Sequence, residues 1–442
     1  MNHNDFYLKL KEFVAAAYCG ELDVYESAEN CKVILLSDVE KCDFDRVKGE
    51  LLSQLTFDCV RENTINENYF THCIGNGFVV IVGYFQCDKT VRIVFDSDTK
   101  LPDFEMKAYR TVGKTTLWQF EINHSLIDCG MCYILRTASG KFFVIDGAHG
   151  YSIMDCDRFY KFMRERTPSG QKVHIAGWFI THGHDDHVAQ FINYLKFNMD
   201  DSVIDKVYHN MISGDHKDAT DWMEITKLYP VMTLDEVRKH PEIDIVRLHT
   251  GQSFYVDNLK IDVLCSHEDV YPRDNSNFND SSVVIMITTE NTKLLIPGDA
   301  GHEESYVLEA RYPEFLKADI VQQAHHGHFG TTKEFYRLVD ADLVLFPVTQ
   351  IIFDQEFKVY EENKYAIDLA DGNYYIASNG TVEVDLPYVK GSERLYPDES
   401  FEDFKGINDL WNYSYTPEYK QSLYDAYKKR GGKPIAEYEN GF

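Results

Sequence analysis

The chain has 442 residues, of which 44% are hydrophobic, and its 72 acidic against 44 basic residues give a formal charge of −28. That length allows two to three domains and a large buried core. The charge repels polyanions at long range and so disfavours long nucleic acids, and no run approaches the roughly 18 to 20 apolar residues of a membrane span.

The opening "MNHNDFYLKLKEFVAAAYCGELDVYE" has one short apolar patch, FVAAAY, without a basic leader or a long apolar region, so no secretory signal is expected and the reading is cytoplasmic. Its period is helical over about 4 to 18, with Asn4 or Asp5 as the cap. Strand-like "CKVILLS", a helix in "FDRVKGELLSQL", and the runs "FVVIVGYF" and "TVRIVFDS" follow. These make residues 1–110 a small α+β accessory domain, closed by a linker at "DTKLPDFEMK". No ligand-rich cluster is visible within it. Ten scattered cysteines are unlike the dense framework of a small secreted domain, and free thiols are expected. The CxxC at Cys129 and Cys132 lacks a second CxxC to complete a zinc knuckle and reads as buried strand cysteines.

From about residue 113 strands and helices alternate: "TLWQFEI", "MCYILRTA", "KFFVIDGA", the helix "SIMDCDRFYKFMRER", then "VHIAGWFIT". The strand-rich pattern resumes with "SVIDKVYHN", "SFYVD", "LKIDVLCS", "SSVVIMITT", "TKLLIPGDA", "ADIVQQAHHG" and "ADLVLFPV". Packed α and β layers are implied. Residues 389–442 form a Tyr-rich extension without strand pattern, with one short helix in "SLYDAYKKR". The stretch "MISGDHKDATDWMEITKLYP" is either a roof over a pocket or an ordinary surface helix pair.

Chemistry concentrates in "FITHGHDDHVAQF", residues 179–191. A short apolar strand ends at Thr181, so His182, Gly183 and His184 occupy the turn beyond it, and His187 lies at the start of a helix. His182 and His184 at i and i+2 reach one ion, with Gly183 letting the backbone bend between them. Asp186 and His187 suit a second ion. Imidazole with carboxylate is a zinc donor set that also accepts iron or manganese. Asp185 reads as the helix cap.

The pattern H-x-H-x-D-H, as His182, His184, Asp186 and His187, resembles the signature of the metallo-β-lactamase-fold hydrolases. "TKLLIPGDAG" supplies Asp299 where that family places its metal-bridging carboxylate, and "ADIVQQAHHGHFG" supplies a strand-end histidine, His325 or His326. Asp146 of "FFVIDGAHG" looks like the family's early Asp-Gly turn, which supports rather than binds metal. The resemblance implies an α+β fold, an αββα four-layer sandwich over 113–388, with a two-metal site on the edge between its sheets. The order "NDSSVVIMI", "LLIPGDA", "DIVQQAHHGH" is similar to the branch with phosphorylcholine esterases and the hydrolase domain of DNA-uptake channels.

One departure is the family's further histidine between the first motif and the bridging Asp. His209 is the best placed, His216, His249 and His267 are weaker, and Asn279 or Asp280 could sit nearby. His328 is either a proton donor or a surface residue. The resemblance implies two divalent ions, zinc first and manganese or iron as alternatives, with His182 and His184 on one and Asp186, His187 and His325 or His326 on the other. Asp299 lies between them, and Asp186 also orients the nucleophile. Two ions about 3.5 to 4 Å apart share a water acidic enough to give hydroxide at neutral pH. The expected activity is hydrolysis of a phosphodiester or related small-molecule ester, with lactone or thioester hydrolysis and a non-catalytic metal-binding regulator as alternatives.

Overall fold

The computed structural model describes residues 22–54, 57–122, 129–149, 153–212, 226–270 and 278–397, with Leu8 and Glu12 besides. Apart from Leu8 and Glu12, the helix expected near 4–18 lies outside the described residues, as do that in "SLYDAYKKR", His216 and most of "MISGDHKDATDWMEITKLYP".

The N-terminal unit is a six-stranded antiparallel sheet, in spatial order Leu22–Ala28, Cys31–Leu36, Thr90–Asp96, Phe78–Phe85, Asn68–Gly75, Asp58–Ile65. The helix Lys41–Gln54 covers one face, burying Phe44, Val47 and Leu51 at i, i+3, i+7 against Val80, Val82 and Ile93. Its other face turns to the rest of the protein, where Phe70 and Phe85 join a core made chiefly of residues beyond 264. The linker is docked rather than free, for Phe104 is buried in the central core and the Asp103 carbonyl accepts from the Tyr255 amide at 2.8 Å.

The remainder is built on two mixed sheets. The first, of nine strands, runs Asp244–Arg247, Lys206–His209, Val173–Phe179, Phe142–Ile145, Tyr133–Arg136, Thr116–Gln119, Thr381–Asp385, Arg394–Tyr396, with Ser202–Ile204 also on Val173–Phe179. The second has seven: Ser253–Val256, Leu259–Cys265, Val284–Thr289, Thr292–Ile296, Ile320–Gln322, Leu343–Phe346, Tyr374–Ile376. Leu117, Leu135, Phe143 and Ile145 of the first sheet meet Ile261, Ile285, Leu294 and Leu345 of the second in one apolar core.

The outer face of the first sheet buries Trp178 and Val207 under the helices Ile153–Glu165, Asp185–Phe197 and Leu228–Arg238. The second sheet's outer face buries Val284 and Val344 under His302–Arg311, Lys333–Val339 and Glu361–Leu369. The order helix, sheet, sheet, helix is the expected αββα four-layer sandwich. One strand went unread in the sequence and one reading needs correction. Thr381–Asp385 pairs with Thr116–Gln119, a non-local contact that local pattern does not reveal. Arg394–Tyr396 pairs with Thr381–Glu383, so the segment read as a strandless tail begins inside the sheet.

Candidate metal centre

The dense histidine stretch follows the strand Val173–Phe179. Its turn is fixed from below by Asp146, whose buried carboxylate accepts from the Thr181 amide at 2.8 Å and the Thr181 hydroxyl at 2.7 Å. Gly183 meets the helix Leu228–Arg238 so closely that an added Cβ would lie 2.4 Å from Cγ of Pro230. The next helix starts at Asp185 and buries Val188, Phe191, Ile192 and Leu195, a spacing of i, i+3, i+4, i+7 that turns His187 inward. His184, not Asp185, holds the N-cap position, and it makes no side-chain cap bond. Asp185 lies instead in the first turn, where its charge complements the helix dipole and its carboxylate is 3.4 Å from Nε2 of His149.

The second sheet supplies the opposing wall. Asp299 follows the strand Thr292–Ile296 through Gly298 at φ 62°, and its amide donates to the Ser282 hydroxyl at 2.9 Å. After Ile320–Gln322 the chain turns through His325 and His326 at φ 49° and 57°, then Gly327 at φ 100°. Left-handed histidines cost on the order of 1–3 kcal/mol each and cluster where a side chain must be aimed. Here the turn is held by Nδ1 of His326 donating to the Pro347 carbonyl at 2.7 Å and by Nδ2 of Asn363 donating to the Gly327 carbonyl at 2.7 Å.

Two groups of donor atoms result, sharing Asp299. One holds Asp186, His187, Asp299 and His326; the other holds His182, His184 and Asp299. In the first, Nε2 of His326 is 3.0 Å from Oδ2 of Asp186, 3.3 Å from Oδ2 of Asp299 and 3.2 Å from Nε2 of His187. In the second, Nε2 of His182 lies 3.0 Å from Nδ1 of His184 and 3.8 Å from Oδ2 of Asp299. Ser282 spans both sheets, its hydroxyl being 3.3 Å from Nδ1 of His182.

The electrostatics follow from burial against charge. Burial alone would strip the proton from His187, but Asp299, Asp186 and Asp146 outweigh it and lift its pKa well above the ordinary histidine value. His326 behaves likewise, pushed up to about 10 by Asp299 and Asp186 against burial. Asp299 is held well below the carboxylate range by His326 and His187, despite burial. His182 falls far below its ordinary value through burial and the neighbouring His187.

The structure thus gathers His182, His184, Asp186, His187, Asp299 and His326. It separates the doublet: His325 is 3.9 Å from Oδ2 of Asp299, belongs to neither group, and its Nε2 faces Nδ2 of Asn279 at 3.1 Å. His209 also falls outside both groups. Its Nδ1 accepts from the Met211 amide at 3.2 Å, and burial, with Arg247, drops its pKa to about 3, as befits a neutral core histidine. His267 is buried at the start of the short helix His267–Val270, outside both groups, and His249 belongs to a different cluster. Asp280 packs against Gly301, where an added Cβ would stand 2.2 Å from its Oδ1. His328 is stacked on Phe357 at 5.2 Å and lies 5.2 Å, ring to ring, from His325. Reasoning from sequence missed Ser282 and Pro230, which hold the turn, and neither carries a recognisable pattern.

The donor set fits metal ions. Asp146 takes up Nδ1 of His187 at 2.6 Å and Pro347 that of His326, so both rings turn Nε2 towards the shared carboxylates. Separations of 3.0 to 3.8 Å bracket the edge of about 3.3 to 3.6 Å expected for a tetrahedron with bonds of 2.0–2.2 Å.

No protein-family model matches the chain, and no curated protein matches its sequence. Among solved structures it is similar to the metallo-beta-lactamase fold protein YhfI from Bacillus subtilis, at 11% identity over 60% of this chain and 97% of that one, with a TM-score of 0.38. It is similar to Zn2+-bound PqqB from Methylobacterium extorquens at 11% identity over 62% and 100%, TM-score 0.39. A third is CmlA, a diiron beta-hydroxylase from Streptomyces venezuelae, at 14% identity over 63% of this chain but only 55% of that one, TM-score 0.34.

Proposed function

We propose that the chain is a dinuclear metal-dependent hydrolase of the metallo-β-lactamase superfamily, acting on a phosphodiester or related small-molecule ester. The observation that carries this reading is the pair of donor groups meeting at Asp299. Two bound ions, zinc before manganese or iron, would supply a hydroxide at neutral pH and neutralise charge developing on the substrate. His182 and His184 would hold one, Asp186, His187 and His326 the other.

The chain's own residues divide the remaining work. Asp146 and Pro347 orient the rings of His187 and His326. Asp186, whose carboxylate an ion held with His187 and His326 would keep ionised, would also accept a hydrogen bond from the attacking water. His328 loses proton affinity to burial, partly restored by Glu356, so it is mainly neutral at pH 7. It is therefore poorly suited to deliver a full proton. The charge of −28 favours a small substrate over a long polyanion, and among the described residues no helix is long and apolar enough to cross a membrane.

The test is metal content together with turnover of bis-p-nitrophenyl phosphate, phosphocholine esters, lactones and thioesters. The reading expects two transition-metal ions in this centre and turnover of a phosphodiester that His182→Ala and Asp299→Ala abolish without unfolding the protein. Full activity in both variants overturns it, and turnover confined to lactones or thioesters moves the substrate class.

A further inference from the structure

The contact between the N-terminal unit and the sandwich is densely charged. Arg92 pairs with Asp269 at 2.6 Å, Arg311 with Asp269 and with Asp88, the latter at 2.6 Å, and Arg247 with Asp96 at 2.8 Å. Within it lies a cluster of another kind. Cys31 and Asp96 are register partners on the adjacent strands Cys31–Leu36 and Thr90–Asp96, so their side chains share one sheet face. His249, from the sandwich, meets both. All three are fully buried, and their donor atoms lie within 4.8 Å of one another.

We propose that Cys31, Asp96 and His249 form a further metal site, of zinc class, that clamps the N-terminal unit onto the sandwich. It does not depend on the hydrolase reading.

The orientation of His249 is the first support. Nδ1 lies 2.8 Å from Oε1 of Glu268, the carboxylate–histidine contact that fixes the ring of a metal-bound histidine and leaves Nε2 for the ion. Nε2 points at Oδ2 of Asp96 across 3.2 Å, close to the tetrahedral edge of about 3.3 Å for bonds near 2.0 Å. Glu268 is itself buried, and its Oε2 has no hydrogen-bond partner. The second support is donor type: a thiolate beside an imidazole selects zinc over magnesium, calcium or manganese. Three protein donors leave a fourth position for water.

Zinc binding would displace the thiol proton of Cys31, so the thiol would serve as a thiolate ligand. Because donors come from both units, the site exists only when they are docked, and binding the ion is binding the interface.

The experiment uses the full chain loaded with zinc or with cobalt. Neither group of donors at the candidate centre contains a thiol, so the signal is separate from that centre whatever its role. X-ray absorption at the zinc edge should show a sulfur shell at about 2.3 Å, and the cobalt form should show a thiolate-to-metal charge-transfer band. Cys31→Ser should lose the band, the sulfur shell and one metal equivalent, whereas Cys87→Ser, at an exposed thiol, should keep all three. A wild-type protein with only nitrogen and oxygen around zinc and no thiolate band overturns the proposal, leaving His249 as a charged bridge between Asp96 and Glu268. Retention of the band in Cys31→Ser overturns it equally.

Discussion

Asp146→Asn tests how the centre is oriented. The wild-type carboxylate only accepts, and it takes three donors: the Thr181 amide at 2.8 Å, the Thr181 hydroxyl at 2.7 Å and Nδ1 of His187 at 2.6 Å. An asparagine of the same shape has one oxygen to offer. If that oxygen keeps the Thr181 amide, the NH2 group faces Nδ1 of His187, which must then accept, and the ring proton moves to Nε2, the atom aimed at Asp299 and His326. If the amide flips, its NH2 opposes the Thr181 N–H. Either way one charge-assisted hydrogen bond is lost, worth about 1.5–3 kcal/mol, or one to two orders of magnitude in affinity. The loss should fall on the Asp186, His187 and His326 side, with the His182 and His184 side little changed. Zinc titration against a chelating dye resolves the two, and circular dichroism verifies that the variant is folded. Wild-type affinity at both positions in a folded Asp146→Asn protein would falsify the account.

Gly183→Ala would drive a methyl group into the ring of Pro230, 2.4 Å from Cγ, and a proline ring has no rotamer by which to escape. Thermal unfolding should show a loss of about 1–3 kcal/mol with weakened metal uptake at His182 and His184, and an unchanged melting temperature would rule out this contact. Metal-free protein should also show a narrow pH optimum of stability. His326 has its pKa raised from 6.5 to about 10, so its contribution is complete below about pH 6.5 and is lost as pH rises towards 10. Asp299 and Asp186 are lowered from 3.8, so theirs is complete above about pH 3.8 and is lost as pH falls further. Melting temperatures of chelator-stripped protein should therefore decline from pH 6.5 to 10, and a flat profile there contradicts the imidazolium at His326.

What the sequence conveyed depended on how locally each feature is encoded. His182, His184, Asp186 and His187 sit within six positions, and one strand-turn-helix junction brings them together, so their spacing was enough. Asp299 and the His325–His326 doublet were read through the family resemblance, each standing just after a strand-like run where that family places a ligand. Choosing within the doublet was not possible, because the choice is made by successive positive φ angles and by the Pro347 carbonyl, 21 residues on. His209 resembled a ligand for sitting at a strand end, yet its ring turns to its own backbone. Strands Asp58–Ile65 and Asn68–Gly75 escaped notice because "DCVRENTI" and "NYFTHCIG" carry polar residues on both faces. The cluster of Cys31, Asp96 and His249 escaped for a different reason. Two of its members meet by strand register and the third by domain docking, and neither leaves a spacing in the chain.

The same non-locality couples the candidate centre to the fold. His182, His184, Asp186 and His187 follow a strand of the first sheet, and Asp299 and His326 follow strands of the second. The two walls are joined at this edge by the Val283 amide donating to the Thr181 carbonyl at 2.9 Å and by Ser282, which touches both His182 and the Asp299 amide. Separating the sheets would pull the donors apart, so an ion that binds only the closed arrangement stabilises the packed sandwich, by about 2.7 kcal/mol at a free concentration of 100 times its dissociation constant. Cys31, Asp96 and His249 lie at a different boundary, between the N-terminal unit and the sandwich, and chelation there would loosen that contact, still held by its ion pairs and aromatic packing, without opening the sheets. Selective loss of one ion should therefore loosen one boundary and leave the other protected, a distinction that hydrogen exchange resolves strand by strand.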